Sequence, residues 1–310
     1  MPNSREISKA AELLLDGGLV AFPTETVYGL GADATNDAAV ARIFAAKSRP
    51  QFNPLISHVA SVDAALALGA FPRDAECLAR QFWPGPLTLV VKRRRDCPVS
   101  LLASAGLESL ALRVPQHDVA LALLAEVAKP LAAPSANRSG RISPTTAAHV
   151  RQSLGAAVDL VLDGGPCAVG LESTVVQFLD GSARLLRLGG LARLTLEAAM
   201  GSRFEDVEAA QPSHGPGQLE SHYAPVAALR LNALSPLLGE IYVGFGGFGG
   251  GDYSLSPSGD LQEAAANLFR ILHEVDAKGP AMIAVAPIPE TGLGEAINDR
   301  LRRAAAPRPS

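Results

Sequence analysis

Hydroxyls, two cations, an amide and an imidazole crowd into residues 23–58 of this chain. Thr24, Thr26 and Tyr28 lie in Pro23-Thr24-Glu25-Thr26-Val27-Tyr28-Gly29-Leu30-Gly31, followed by Lys47-Ser48-Arg49 and then Asn53-Pro54-Leu55-Ile56-Ser57-His58. A fold does not need so many polar groups between an apolar strand and an apolar helix. A site for a small, polar, phosphate-bearing substrate does. Three further segments add Ser109 with Arg113, Ser135 with Asn137, and Glu172-Ser173-Thr174 with Arg187. Lysine and arginine pair with phosphate oxygens, and serine and asparagine supply neutral hydrogen bonds. Singly, each has a plain structural use. Lys47 complements a helix dipole, Ser135 and Asn137 suit a turn after Pro134, and His58 suits a strand end. Together, Lys-x-Arg, Ser-x-Asn and lone arginines at strand ends read as a phosphate clamp made from side chains instead of a glycine loop.

The elements that must position these groups alternate irregularly. Ile7, Ala10, Ala11, Leu14 and Leu15 keep helical spacing until Gly17-Gly18, and Leu19 to Phe22 is a short buried strand. Thr35 or Asn36 can cap a second helix with Val40, Ile43, Phe44 and Lys47 on one face, which leaves Arg49 just past its end. Strands are expected at 87–91, 110–114, 131–133, 158–162, 173–178 and 184–188, with a helix at 118–128. Because strand termini gather on one edge of a sheet, the four polar segments can converge. This order predicts an α/β domain with a mixed sheet. Residues 206–224, including Gln211-Pro212-Ser213-His214-Gly215-Pro216-Gly217, read as a linker between a domain at 1–205 and one at 225–310. The second domain is again α/β. It has strands at 240–245 and 281–286, a helix capped by Asp260 with Glu263, and a last helix at about 295–305.

Bulk properties narrow the class. A chain of 310 residues suits one large and one small domain. A net charge of −4 argues against a surface given over to nucleic acid. Cys77, Cys97 and Cys167 form no CxxC pair, so a zinc site or disulfide framework is not expected and a cytoplasmic setting is. Neither a signal peptide nor a membrane span is expected.

Three motifs mislead. Gly244-Phe245-Gly246-Gly247-Phe248-Gly249 matches the dinucleotide fingerprint, yet Gly, Asp, Ser and Pro follow where a helix must begin. Lys47-Ser48 resembles the end of a Walker A loop, but Ala41 and Ala46 stand where glycines are needed. Lys92-Arg93-Arg94-Arg95 is expected to be a solvated edge that discourages strand pairing. The six histidines show no HxxxH spacing, and no metal ligands are assigned.

The motifs around residues 23–31, 47–49, 134–137, 172–176 and 187–189, in this order, resemble the YrdC-like family of threonylcarbamoyl-AMP synthases. Ser221-His222-Tyr223-Ala224-Pro225, Gly292-Leu293-Gly294-Glu295-Ala296 and Asn298-Asp299-Arg300-Leu301 resemble its long, two-domain form. The resemblance implies a twisted mixed sheet with a concave cavity, plus a smaller Rossmann-like C-terminal module. It implies condensation of L-threonine, bicarbonate or CO2, and ATP into threonylcarbamoyl-AMP, with Mg2+ accompanying ATP. A separate transferase machinery then modifies tRNA, and whether this chain itself touches tRNA is left open.

By this resemblance, threonine contacts fall at Thr26, His58, Arg113, Ala133 (through its backbone) and Ser173. ATP contacts fall at Arg49, Asn53, Ser109, Ser135, Asn137, Ser143, Arg187 and Tyr223, and Lys47 with Arg49 stabilises charge on the transferring phosphoryl group. His58, the substrate and bicarbonate are the candidates to take the amine's proton, and the base is left open. Two rival readings are a double-stranded RNA-binding module and a carbamoyl-transfer domain of hydrogenase-maturation type. The latter would want zinc-finger and acylphosphatase segments, which this sequence lacks.

Overall fold

A computed structural model describes residues 2–50, 52–205, 221–249, 251 and 253–307. The N-terminal body runs α1 (Ser4–Leu15), β1 (Val20–Phe22), β2 (Gly29–Asp33), α2 (Asp37–Lys47), β3 (Ile56–His58), α3 (Val62–Leu68), β4 (Gly69–Ala70) and α4 (Arg73–Phe82). It continues with β5 (Leu87–Arg93), β6 (Ser109–Arg113), α5 (Asp118–Val127), β7 (Leu131–Ala132), α6 (Ala147–Leu154), β8 (Leu160–Val161), β9 (Thr174–Leu179), β10 (Ser182–Arg187) and α7 (Arg193–Met200). The C-terminal body holds β11 (Ala228–Arg230), β12 (Glu240–Gly244), β13 (Tyr253–Ser254), α8 (Leu261–Asp276), β14 (Met282–Val285) and α9 (Leu293–Ala305).

The first body's sheet has the order β10-β9-β5-β6-β3-β7-β2-β1-β8, with β4 also paired to β5. β1 with β8, β3 with β6, and β5 with β9 are parallel, and the other pairs are antiparallel. This is the mixed sheet expected from the irregular alternation. Helix α2 begins where Asn36 accepts from the backbone of Ala38 and Ala39, and it buries Val40, Ile43, Phe44 and Lys47 along one face. The apolar stripe therefore carries a lysine into the interior at its last position.

One strand goes unforeseen and two expectations need correction. The segment 29–33 is a strand, although its glycines hide it. At Gly31 an added Cβ would lie 2.7 Å from the Phe22 ring, so only glycine lets β2 lie flat on β1. The basic run does not blunt a sheet edge, because β5 is an interior strand between β6 and β9. Arg93 instead folds back on the carbonyls of Cys97 and Val99. The capping box at α8 is half formed. Asp260 accepts from Glu263 N at 2.7 Å, but the Glu263 carboxylate is taken by the Ser256 hydroxyl.

The C-terminal sheet is parallel throughout, with order β11-β14-β12-β13. Among the described residues the first helix after Gly244 starts at Leu261, so the glycine run does not lead into a helix as a dinucleotide turn must. The two bodies share a core: Val27, Ile142 and Leu171 of the first pack in one cluster with Tyr223, Phe269 and the second sheet. His149 of α6 and His273 of α8 stack across the junction with ring centroids 3.9 Å apart. At Gly170, where φ is +72°, an added Cβ would fall 2.5 Å from the carbonyl oxygen of Ala265 in α8. Most of the expected linker, residues 206–220, lies outside the described residues. No described helix is long and apolar enough to cross a membrane.

Candidate active site

The strand registers decide which polar groups meet. Parallel pairing sets His58 beside Arg113 at the ends of β3 and β6, and His58 also faces Leu131 of β7. Ala133, just past β7, donates its N–H to Ile56 O at 3.0 Å, and Ser135 bridges to Gly29. Ser173 immediately precedes β9, where Thr174 faces Leu87. Its hydroxyl lies 2.7 Å from that of Thr88. Arg187, at the end of β10, donates to the Ser173 carbonyl at 2.9 and 3.0 Å and to its hydroxyl at 3.1 Å. This folding-back needs Gly189, because a Cβ there would lie 2.3 Å from Glu172 O.

These ends line one small concave cavity. Thr26, His58, Arg113, Ala133 and Ser173 all line it, as do Arg49, Ser135, Arg187 and Tyr223. Four candidate residues sit off the lining. Asn53 is buried, and its carbonyl accepts from Arg49 Nε at 3.4 Å. Ser109 is half-buried and opens β6 opposite Lys92, four residues before Arg113. Asn137 is buried and donates to the carbonyls of Arg138 and Arg141. Ser143 is buried behind the wall and donates to Glu172 Oε1 at 2.5 Å.

Lys47 also stands behind the lining. Its ammonium is 1% exposed and donates to the carbonyls of Ser135 and Asn137, each at 2.5 Å. It thus braces the backbone that presents Ser135. Burial, reinforced by Arg49, pushes the Lys47 pKa well below the usual lysine range. Arg49 itself is lowered to about 10, mostly by burial, and stays charged near neutrality.

The lining is cationic: Arg49, Arg113 and Arg187 face one carboxylate, Glu172. Arg113 is 4% exposed and meets Glu25 Oε1 at 2.8 Å, out of line for a hydrogen bond, while its Nε donates to Gly85 O at 3.3 Å. The His58 ring is buried edge-on to Phe22, and its Nδ1 has no partner among the described residues. Burial and the nearby Arg113 charge lower its pKa to about 3, so the ring is neutral and a poor proton acceptor. His222 behaves alike, at about 3, chiefly through burial. Burial works to raise Glu172, but Arg300, Arg187 and the Ser143 hydrogen bond outweigh it and hold the group below its ordinary range.

Sequence reasoning did not assign roles to Glu172, His222 or Arg300, although all three lie inside quoted motifs. Glu172 is adjacent to Ser173, His222 to Tyr223, and Arg300 lies in the tail motif. Arg300 reaches the site from α9, 128 residues away, a distance no local pattern reveals.

The profile of the Sua5/YciO/YrdC family, described as "Telomere recombination", matches residues 12–189. This chain belongs to that family. Residues 191–306 of the Sua5-type chain match a second profile, the threonylcarbamoyl-AMP synthase C-terminal domain. The threonylcarbamoyl-AMP synthase of Bacillus subtilis is 40% identical over 99% of this chain and 94% of its own length. That of Pyrococcus abyssi is 39% identical over 98% and 95%. The crystal structure of P. abyssi Sua5 complexed with L-threonine superposes with a TM-score of 0.90 at 37% identity, covering 98% of this chain and 95% of that one. Escherichia coli YciO, at 22% identity and a TM-score of 0.56, shares the sheet architecture alone.

Proposed function

We propose that this Sua5-type chain is a nucleotidyltransferase that makes L-threonylcarbamoyl-AMP from L-threonine, bicarbonate or CO2, and ATP, releasing pyrophosphate. The observation that carries the reading is one buried cavity holding three arginines, Thr26, His58 and Ser173, on the fold of a relative crystallised with L-threonine. The Arg113 fork suits the threonine carboxylate. Thr26, Ser173 and the free Nδ1 of His58 are placed to test the threonine hydroxyl, so an apolar analogue would leave buried polar groups unpaired. Arg49 and Arg187, with Ser135 between the cavity and Lys47, suit the triphosphate.

The chemistry runs in two steps. Neutral threonine amine attacks CO2, or bicarbonate with loss of water, to form a carbamate. A carbamate oxygen then attacks the α-phosphorus of ATP and displaces pyrophosphate. Charge building on the phosphoryl oxygens is met by cations already fixed in the cavity wall, the arrangement that stabilises such charge most. His58, held near 3, cannot keep the amine's proton, so that proton leaves with bicarbonate or solvent. Magnesium enters as part of the ATP substrate. Among the described residues no three His, Cys, Asp or Glu cluster as a metal site, and Glu172 spends both oxygens on Ser143 and Arg300.

The product is an activated carbamoyl group, for transfer by a separate enzyme to an adenosine of tRNA. An RNA-binding role alone is disfavoured because Lys47 and Arg113 are buried inside the fold instead of forming an exposed face. The test is mass-spectrometric detection of the adenylate after mixing the protein with threonine, ATP-Mg2+ and bicarbonate. Product that needs all three substrates supports the reading. RNA binding with a steep salt dependence and no adenylate would overturn it.

A further inference from the structure

The one carboxylate in the cavity wall is held by a residue from the other domain. Arg300, on α9, is 1% exposed and its guanidinium is fully engaged. Nε meets Glu172 Oε2 at 2.8 Å, Nη1 meets Asp299 Oδ2 at 2.6 Å, and Nη2 donates to Leu188 O at 2.8 Å. The guanidinium carbon lies 5.0 Å from the centre of the Tyr223 ring, which stacks on Phe269 of α8. On its other oxygen Glu172 accepts from Ser143. One arginine thus touches the cavity wall, the linker tyrosine and the strand end that follows Arg187.

Burying a charge pair is seldom justified by stability alone, since apolar packing of like volume serves as well or better. Here the pair sits beside groups that would receive ATP. A bare Glu172 carboxylate at that place would repel the triphosphate. Paired with Arg300 it is electrically quiet, and it fixes Ser143 as well. We propose that Arg300 is a positioning residue of the C-terminal domain that neutralises Glu172 in place and thereby holds Tyr223 toward the nucleotide, with Ser143 bracing Glu172 from behind the wall. The groups facing Glu172 are Arg300 from α9, Arg187 from β10, His222 and Tyr223 from the linker segment, and Ser143, with Asp299 on the far side of Arg300. Removing Arg300 strips its donor from Glu172 Oε2 and from Leu188 O, whereas Asp299 keeps Arg303 at 3.0 Å.

The experiment compares full-length wild type, Arg300→Met, Arg300→Lys, Glu172→Gln and the Arg300→Met/Glu172→Gln double variant. It reads ATP Kd by calorimetry, kcat and KM for ATP, and their pH profiles. Arg300→Met should raise ATP Kd and KM at least tenfold, with a smaller change in kcat. It should also acquire an acid-side recovery as Glu172 takes up a proton. The double variant should regain most of the lost ATP affinity, and Arg300→Lys should fall between. A purely structural role predicts the opposite pattern: equal loss for every substrate, a lower Tm, no new ionisation and no rescue by Glu172→Gln. That result would overturn the proposal. The inference rests on the synthase reading, and the two fail differently. A wild type that binds ATP but makes no adenylate refutes the synthase reading, whereas an active wild type with an unaltered Arg300→Met profile refutes only this one.

Discussion

Replacing Arg113 by lysine isolates the contribution of one fork. In the resting site its Nε is engaged by Gly85 O and its Nη2 faces Glu25, while Nη1 carries no protein partner among the described residues. A carboxylate arriving from threonine can therefore take Nη1 and share Nη2. Lysine keeps the positive charge opposite Glu25, so the buried acid is not abandoned and the fold should survive. A single ammonium cannot also hold Gly85 and both oxygens of a substrate carboxylate. One to two charge-assisted hydrogen bonds are lost, and the loss of one is worth about 1.5–3 kcal/mol. At about 1.4 kcal/mol per decade, KM for threonine should rise by about 10- to 150-fold or more. The KM for ATP should move little, because Arg49 and Arg187 are untouched. The assay is adenylate formation at varied threonine and saturating ATP, with threonine Kd measured calorimetrically and Tm as the folding control. An unchanged threonine KM, or a rise confined to ATP, would refute the placement of the carboxylate on Arg113.

Arg49→Ala should abolish most activity while leaving Tm near wild type, since Arg49 makes only 3.4 Å contacts with the carbonyls of Asn53 and Pro54. Lys47→Ala should lower both, because it orphans the buried Asn137 carbonyl, at about 1–3 kcal/mol, and removes one of the two donors to Ser135 O. Thermal melts with turnover assays separate the two variants. ATP binding should take up protons at pH values above the lowered Lys47 pKa, since triphosphate charge favours the ammonium. Calorimetry in buffers of different ionisation enthalpy reads this directly, and zero uptake across the alkaline range would count against it. His58 and His222 have folded pKa values near 3, below the ordinary 6.5, so the unfolded chain binds more protons between those limits. Their contribution to stability is complete above pH 6.5 and is lost as pH falls toward 3, at up to about 1.4 kcal/mol per unit for each ring. Denaturant melts at pH 7 and 5 measure it. Deleting residues 206–310 should weaken ATP binding while the first domain still melts cooperatively on its own clusters. An unaltered ATP Kd in that fragment would remove the C-terminal domain from the site.

The stripe Val40, Ile43, Phe44, Lys47 was readable because helical spacing alone puts a lysine on the buried face. Its bonds to Ser135 and Asn137 were not, since they cross about ninety residues. The hydroxyls and cations of the four segments pointed to one site, and strand registers explain why they meet. A strand as short as β3 carries too few residues for a period, and β2 is masked by glycines. Helices α3, α4, α6 and α7 also escaped. Ser109 shares a strand with Arg113, and four residues of extended chain separate the two by about 13 Å along β6.

At Gly170 a loop of the catalytic body touches the main chain of α8 with no room for even a methyl group. Elsewhere along that junction side chains can be exchanged and the fit adjusted by degrees. There it cannot, because any bulk at 170 must displace a whole helix, and Phe269 with Tyr223 travels with it. The junction thus has a fulcrum, and a displacement too small to disturb either hydrophobic cluster would still reach the wall of the cavity.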